Sequence, residues 1–376
     1  MDLELSEEQL ELRDHARSVL AAECPPSLVR GVAEGTGSAD GLWSTLVSLD
    51  WPAIAVDAEH GGLGQGFVAE TVLVEELGRV VAPGPYMATV TQFAPVLAAA
   101  GAPGSEALNA VAMGTCSGAL ALTEAGGGHL HDVATVARRT GDGWVLDGTK
   151  SHVLDGATAQ ELAVVARREG TSGGDGLGAF LVPGSLVTAT PVTTLDPTLP
   201  LATVVLDQVE LSDDRVLLDP TDADSAGRIE GVVQHATAAM ALSTVATCRA
   251  IFETTVEYAK GRHQFGRPIG SFQAVKHRLA DLYLAVERAN SLGYYAAAAI
   301  TEEDPSRAVA ASMAKAAAGD CQRLATRDGL QLHGGIGFTW ENDLHFWLKR
   351  AITGAFLFGS AEHHRVELAR LLGLAA

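Results

Sequence analysis

The sequence contains the stretch Arg262-His-Gln-Phe265-Gly266-Arg-Pro-Ile269, followed by Phe272-Gln273-Ala, and further on Gln331-Leu-His-Gly334-Gly335-Ile-Gly337-Phe338. An arginine offers a fork of N–H groups that fits a pyrophosphate, and an aromatic side chain can cover an apolar ring. Two adjacent glycines let a phosphate approach their backbone amides closely. Each feature is common alone, because Gly-Gly pairs mark turns in many proteins. Their combination indicates a site for a phosphate-bearing cofactor.

Long helical patterns surround both motifs. Apolar residues recur at helical spacing within residues 232–262, 272–301, 306–331 and 342–372. Four long helices predict a bundle over residues 226–376. Small-residue runs such as Ala316-Ala317-Ala318 permit close approach of helices, either within the chain or across an oligomer interface.

The first 115 residues also show a helical pattern. Ser6 and Gln9 have the spacing of a capping box, and apolar residues follow at helical spacing until Pro25 and Pro26 end the helix. Further helical signals run on both sides of the glycine-rich turn Gly61-Gly62-Leu63-Gly64, where we expect positive φ angles. These patterns predict an N-terminal α-helical domain.

Residues 116–225 are typical of β-structure. Short strand-like runs at 120–123, 133–138, 144–146, 153–154, 162–166, 179–182 and 203–211 are punctuated by Gly-Asp-Gly and Asp-Gly. We therefore expect hairpins and a middle β-barrel domain. The predicted fold class is α+β and multidomain: an N-terminal helical domain (1–115), a middle β-barrel (116–225) and a C-terminal four-helix bundle (226–376).

Composition narrows the class of protein. Apolar residues make up 47% of the chain, enough for a packed core, and 46 acidic against 26 basic residues give a net charge of −20 that repels nucleic acid. Four widely spaced cysteines match no disulfide framework and no metal-ligand spacing. The acidic N-terminus lacks a secretory signal, and no window is apolar enough to span a membrane. We expect a cytoplasmic protein with neither nucleic acid nor membrane as a partner.

The motifs together resemble the acyl-CoA dehydrogenase family. Besides the two stretches above, the family's order is matched by Trp43, Gly61-Gly-Leu-Gly64, Glu75-Glu-Leu-Gly78, Thr123-Glu124 and Gly143-Trp144-Val-Leu-Asp-Gly148-Thr-Lys150. The resemblance covers nearly the whole chain. It implies an FAD-dependent enzyme that introduces an α,β double bond into an acyl-CoA thioester and uses an electron-transfer flavoprotein as acceptor.

The resemblance also implies which residues contact the cofactor. In the family, C-terminal groups reach across a subunit boundary to FAD held by a neighbouring chain's β-domain, so an oligomer is implied. The matching positions here are Arg262, Phe265, Gln273, Gln331, Gly334 and Gly335, with Thr123 on the β-domain side.

The family's general base, a glutamate that removes the α-proton, has no counterpart in this chain. The two positions that carry it in relatives hold Phe358 and Ala236. Glu230 and Glu362 lie nearby in sequence, but only a register shift would bring either to the required face. We therefore assign no catalytic residue to the chain.

The β-domain pocket departs from the family pattern as well. After Thr123-Glu124, where relatives continue with Pro and then Gly-Ser-Asp, this chain continues with Ala125-Gly126-Gly127-Gly128. His152 and Leu154 stand where relatives present an aromatic residue and a threonine to the flavin ring. These losses affect the pocket on this chain, whereas the groups that serve a neighbour's FAD are intact.

Such a selective loss indicates a heteromer in which this chain completes the cofactor site of a homologous catalytic subunit. The resemblance is to the base-lacking subunit of actinobacterial heterotetrameric acyl-CoA dehydrogenases, some of which act on steroid side-chain CoA thioesters. Three alternatives stay open: a homo-oligomer with an unconventional base such as Glu230, a redox-inactive scaffold of the same fold, and an enzyme with a different reaction on a thioester. Retention of Arg262 and the glycine pair disfavours the scaffold, which needs no phosphate-facing groups.

Overall fold

The computed structural model describes residues 4–125, 127 and 130–374, and the chain divides into two compact units. One comprises Met1–Leu42, Phe67–Pro83 and Thr237–Ala376, and the other comprises Trp43–Gly66 and Gly84–Ala236. Along the chain, a helical part is followed by a sheet part and then by a second helical part, which confirms the predicted fold class. The domain bounds near residues 115 and 225 stay a prediction. Among the described helices, none has the length and apolar character needed to span a bilayer.

The N-terminal part begins as predicted. The Ser6 hydroxyl accepts a hydrogen bond from the Gln9 amide, and the Gln9 side chain accepts one from the Ser6 amide, which completes the capping box. The first helix ends before Pro25, and the glycine turn has positive φ at Gly61 and Gly64. The helices are α1 (Glu7–Glu23), α2 (Pro26–Ala33), α3 (Asp40–Ser48), α4 (Gly66–Arg79), α5 (Tyr86–Ala88), α6 (Ala94–Ala100) and α7 (Ser105–Ala112).

The central part is one sheet, in which eight strands pair within the described residues. The strands are β1 (Gly118–Ala121), β2 (Val136–Arg139), β3 (Gly143–Leu154), β4 (Glu161–Arg168), β5 (Leu177–Pro183), β6 (Thr188–Val192), β7 (Leu201–Ser212) and β8 (Val216–Leu218). Their order is β6-β7-β3-β2-β4-β5-β8, and β1 pairs with β4 in parallel. Trp144 and Phe180 meet edge to face in the buried core of this sheet, with ring centroids 5.6 Å apart.

The turn signals between the strand-like runs did not all mark hairpins. Gly-Asp-Gly at 141–143 does connect the antiparallel strands β2 and β3. The Asp-Gly at 147–148 lies inside β3, so the runs 144–146 and 153–154 form a single strand. Two register shifts against β7, at Leu146/Gly148 and at Lys150/Val153, absorb the irregular backbone as bulges instead of ending the strand.

The C-terminal part corrects one sequence prediction. Its helices are α8 (Ser225–Gly261), α9 (Gln273–Thr301), α10 (Arg307–His333), α11 (Leu344–Phe356) and α12 (Ala361–Leu371). The predicted fourth helix over 342–372 was wrong, because it is divided into α11 and α12. Phe358 and Gly359 have positive φ angles of 59° and 101°, and the Ser360 hydroxyl caps α12 by accepting from the His363 amide. The apolar pattern continues through this break, so periodicity alone did not reveal it.

A glycine sets the distance between α4 and α8. A Cβ atom at Gly78 would lie 2.6 Å from the Ser243 carbonyl oxygen and 3.1 Å from the Ala246 Cβ. We expect Gly78→Ala to lower the free energy of unfolding by about 1–3 kcal/mol, because the two helices must separate. Urea denaturation would measure this loss. Gly227→Ala, where a Cβ meets open space near the start of α8, is the control and should be neutral or stabilising; equal losses in both variants would contradict the packing argument.

Candidate functional site

A two-stranded hairpin carries the aromatic residue of the first motif. Strand β9 (His263–Gln264) pairs with β10 (Arg267–Pro268), and the turn between them consists of Phe265 and Gly266, with φ angles of 54° and 79°. Two-residue hairpin turns with positive φ favour glycine or asparagine. Phe265 nevertheless occupies one of these positions and is 92% exposed. A phenylalanine that combines an unfavourable backbone conformation with exposure is suited to cover a group from outside the chain.

Three polar residues of the two motifs are exposed. Arg262 follows the end of α8, Gln273 is the first residue of α9, and Gln331 lies in the last turn of α10. None of these side chains makes a hydrogen bond or an ion pair with any described residue of the chain. A guanidinium fork and two carboxamides are therefore available to a ligand with phosphate or other polar oxygens.

The glycine pair follows Gln331 at the end of α10. Gly334 ends α10 with a φ of 62° and begins the short 3₁₀ turn Gly334–Phe338. Tyr258 of α8 stacks on His333 at a centroid distance of 4.4 Å and donates a hydrogen bond to its carbonyl oxygen, which holds the ends of α8 and α10 together. A Cβ atom at Gly334 or Gly335 would meet open space. The positive φ of Gly334 itself favours glycine, whereas neither conformation nor packing within the chain requires one at Gly335, where close approach of a phosphate would.

These residues fit a cofactor that has a pyrophosphate and an aromatic ring. The fork of Arg262, the exposed ring of Phe265 and the unobstructed backbone at Gly334 and Gly335 supply cation, apolar cover and close-range amides. The two carboxamides add hydrogen-bonding groups without charge. Which of these residues contact a cofactor stays a prediction.

The sheet part contains a buried ion pair beside Thr123. The Lys150 ammonium lies 2.5 Å from Glu124 Oε1 and also donates to the Leu122 carbonyl. Burial lowers the pKa of Lys150 to about 8, against the opposing effect of the Glu124 carboxylate. Burial alone would raise the pKa of Glu124, but Lys150 and the hydrogen bonds from Thr135 outweigh it and lower that pKa. The pair is therefore ionised at neutral pH.

The same pair positions the segment that follows Thr123. Glu124 accepts hydrogen bonds from the Ala134 amide and from both the amide and the hydroxyl of Thr135. The Thr123 carbonyl accepts one from the Ser151 amide of β3 at 2.8 Å. Buried Arg167 donates to the backbone carbonyls of four other residues: Leu130, His131, Val133 and Asp175. Both ends of the 123–135 segment are thus tied to the sheet, while Gly126, Gly128 and His129 lie outside the described residues.

The two strand positions that relatives use for the flavin ring offer little here. His152 sits in the β3 bulge with a φ of 55° and is exposed, and its imidazole has no hydrogen-bond partner among the described residues. Leu154 is only 3% exposed and has no hydroxyl. Neither residue reproduces a threonine that donates a hydrogen bond to a ring, which is compatible with the expected loss of this pocket.

The expected base positions carry no carboxylate. Ala236 is 1% exposed on α8, and Phe358 lies half-buried in the turn between α11 and α12. Glu362 is 68% exposed and lies 3.7–3.8 Å from Arg365 and Arg323. Glu230 is exposed on the second turn of α8. Both glutamates are therefore exposed to solvent, unlike a carboxylate general base held in a desolvated site.

Sequence reasoning missed the roles of five charged or titratable residues, of which four are buried and Glu124 is half-buried. Lys150 and Glu124 were noted only as parts of family motifs, and no role was assigned to Arg167, Lys315 or His364. One signal was available for Lys315, because it is the only charged residue within the alanine-rich run from 308 to 319. A single cation on an otherwise apolar helix face is either a snorkelling surface residue or a buried donor, and sequence does not separate the two.

Comparison with known proteins accounts for the whole length of the chain. Family models for the N-terminal, middle and C-terminal domains of acyl-CoA dehydrogenase match residues 6–114, 119–213 and 227–373. Acyl-CoA dehydrogenase IpdE2 of Mycobacterium tuberculosis is 32% identical over 356 residues, or 94% of each chain. The solved Tcur3481-Tcur3483 steroid ACAD variant has a TM-score of 0.87 and 29% identity over 98% of both chains. The ChsE4-ChsE5 complex of M. tuberculosis has a TM-score of 0.88 over 100% of both chains at 24% identity, a likeness of fold alone.

Proposed function

The chain belongs to the acyl-CoA dehydrogenase family, a family of flavin-dependent oxidoreductases that act on acyl-CoA, and we propose that it is the subunit that completes the FAD site of a homologous catalytic partner. In this role it takes part in the α,β-dehydrogenation of an acyl-CoA thioester without supplying the general base. One contrast supports the proposal most strongly. The side chains of Arg262, Gln273 and Gln331 are exposed and make no hydrogen bond or ion pair with the described residues, while Phe358 and Ala236 occupy the base positions.

The contrast argues against a loss of cofactor binding by the whole chain. A chain under no demand for cofactor binding would not keep an uncommitted arginine, an exposed phenylalanine at positive φ and two glycines with open space around them. Apart from Gly334, which its positive φ favours, each of these features is unfavourable or unnecessary for the folded chain alone. Together they are explained by a ligand and a partner that cover them.

The chain's own residues would contribute binding and orientation. Arg262 pairs its fork with the pyrophosphate, and the amides at Gly334 and Gly335 add hydrogen bonds at close range. Phe265 covers an apolar part of the cofactor, and Gln273 and Gln331 fix its orientation. Bound FAD supplies the acceptor for the hydride from the β-carbon. Removal of the α-proton falls to a carboxylate of the partner subunit, because this chain offers none at either position.

Two relatives support a proposal for the substrate class. The Tcur3481-Tcur3483 protein is named a steroid ACAD, and the ChsE4-ChsE5 structure is a complex of two named components. We infer a CoA thioester with a steroid-derived acyl group as substrate, a heterotetramer as the assembly, and an electron-transfer flavoprotein as the electron acceptor. The chain carries a net charge of −20, which repels an anionic cofactor from most of its surface. Basic side chains such as Arg262 would therefore supply the local attraction that the cofactor needs.

Flavin stoichiometry tests the proposal. We expect the chain to be colourless when it is expressed alone, because its own β-domain pocket lacks the groups that hold the ring. Co-expression with a homologous dehydrogenase that has the glutamate base should give a yellow complex with one flavin for each pair of unlike chains. Absorbance of flavin released by denaturation, relative to total protein, measures the ratio.

Two controls sharpen this test. Replacing the partner's glutamate base should abolish bleaching of the flavin by acyl-CoA under anaerobic conditions while leaving flavin content intact. Glu230→Gln in this chain should change neither quantity. Yellow, active protein obtained without any partner would refute the proposal and favour a homo-oligomer that uses an unconventional base.

A further inference from the structure

The turn between α11 and α12 is held by a buried lysine from a third helix. Lys315 of α10 is fully buried, and its ammonium donates hydrogen bonds to the carbonyls of Gly354, Ala355 and Gly359 at 3.0, 2.8 and 2.9 Å. An ammonium has three N–H groups, and each has one acceptor here. Burial lowers the pKa of Lys315 to about 7. No carboxylate among the described residues lies within ion-pair distance of Lys315, so backbone carbonyls alone compensate the charge.

A buried histidine binds a further carbonyl of the same turn. His364 Nε2 lies 2.8 Å from the Phe358 carbonyl oxygen, and Nδ1 lies 3.3 Å from the Ser312 hydroxyl. A carbonyl only accepts, so Nε2 carries the proton, and Nδ1 accepts from Ser312. Burial lowers the pKa of His364 to about 4, against the opposing effect of the Phe358 carbonyl. The imidazole is therefore neutral at pH 7 in this tautomer.

Phe358 is the residue around which these contacts converge. Its φ of 59° places a bulky side chain in the left-handed region, where glycine or asparagine usually ends a helix. A glycine at position 358 would adopt this φ angle without strain, but the glycine of this turn stands one position later, at 359. Lys315 donates hydrogen bonds to carbonyls on both sides of Phe358, and His364 donates one to the carbonyl of Phe358 itself.

Two features of this helix end lower the free energy of unfolding. Burying a lysine without a carboxylate opposes folding, and so does a phenylalanine in the left-handed region. A glycine at 358 would remove the backbone strain, whereas an apolar residue at 315 would leave the carbonyls of Gly354, Ala355 and Gly359 without their donor. Strain that persists under specific side-chain support is a reason to look for a positional role.

We propose that Lys315 and His364 form a carbonyl clamp, made of positioning residues, that fixes the orientation of the side chain at position 358, where a phenylalanine stands in place of the expected base. The inference rests on the proposed function, which places Phe358 where a base is absent. Because the clamp binds backbone carbonyls only, it holds the turn whatever side chain position 358 carries. With the clamp in place, the expected base position carries the half-buried, apolar side chain of Phe358.

Amide hydrogen exchange of the full chain tests the clamp. We expect Lys315→Met and His364→Leu to speed exchange of the amides at 356–361 by at least about 10-fold, because an opened turn exposes them. Phe358→Glu should leave that rate within about twofold of the wild type, since the carbonyl contacts do not depend on the side chain. Lys260→Met, which removes an exposed lysine, is the matched control.

A conservative variant and a spectroscopic probe separate positioning from general stability. His364→Gln retains an N–H donor for the Phe358 carbonyl and should restore slow exchange, whereas His364→Leu should not. Fluorophenylalanine at position 358 should give one narrow ¹⁹F resonance with an intact clamp and a broadened or divided one in Lys315→Met. If Lys315→Met does not fold, the clamp is tested by comparing amide exchange at 356–361 between His364→Gln and His364→Leu.

Unchanged exchange at 356–361 in both His364→Leu and Lys315→Met would overturn the inference, and so would a Phe358→Glu variant that opens the turn as much as they do. Flavin content of the co-expressed complex, recorded on the same preparations, reports on the proposed function separately. A normal clamp with unexpected flavin in the chain alone would reject the proposed function and leave the clamp standing.

Discussion

Arg262→Ala is expected to weaken the binding of FAD to the assembled complex by about 100-fold. Hydrogen bonds to charged groups contribute about 1.5–3 kcal/mol each, and a guanidinium fork makes two of them to one pyrophosphate. A loss of about 3 kcal/mol corresponds to about 100-fold in the dissociation constant. The Arg262 side chain makes no hydrogen bond or ion pair with residues in the described ranges, so the substitution should leave the free energy of unfolding nearly unchanged.

Titration of the flavin-free complex with FAD, followed by quenching of flavin fluorescence, measures the effect. Arg262→Lys keeps the charge but loses the planar fork, and we expect it to fall between the wild type and the alanine variant. Arg323→Ala is the matched control, because Arg323 is 63% exposed on α10 and pairs with Asp320 on the same helix. Equal FAD affinity in wild type and Arg262→Ala would remove the main support for a shared cofactor site and favour the redox-inactive scaffold.

Local signals in the sequence were sufficient for much of the fold. The Ser6–Gln9 capping box and the positive φ at Gly61 depend on neighbouring residues only, so both could be predicted. The division of the predicted fourth helix at Phe358 could not be. It depends on Lys315, more than 40 residues away in sequence, whose hydrogen bonds satisfy carbonyls that a continuous helix would have used.

Some residues of the candidate site could likewise be predicted from sequence, and others could not. The exposed motif residues, such as Arg262 and Phe265, could be found from sequence because their proposed partner is a cofactor and not the chain's own core. Buried charges were not found, because Lys150 and Glu124 resemble surface residues until the sheet brings them together. Resemblance to a family marked their positions but gave no reason for them. Such a reason requires the burial and the hydrogen bonds that only the fold provides.

Lys150→Met should lower the free energy of unfolding by about 3–5 kcal/mol, which is the usual range when one partner of a buried ion pair is removed. Methionine fills a similar volume, so the loss reports on charge and hydrogen bonding more than on packing. It would leave the nearly buried Glu124 carboxylate without its cation and the Leu122 carbonyl without its donor. Urea denaturation of the isolated chain, followed by a signal from Trp144 in the core of the sheet, measures the loss.

The second partner of the pair decides whether charge is the cause. In the double variant Lys150→Met with Glu124→Gln, neither position of the former pair carries a charge. The amide oxygen of glutamine can still accept from Thr135. The double variant should therefore be more stable than Lys150→Met alone. Lys260→Met, which removes an exposed i,i+3 pair with Glu257, should cost less than about 1 kcal/mol. If the double variant is instead the least stable of the set, Glu124 acts mainly as an acceptor for the 134–135 segment, and its ion pair with Lys150 is secondary.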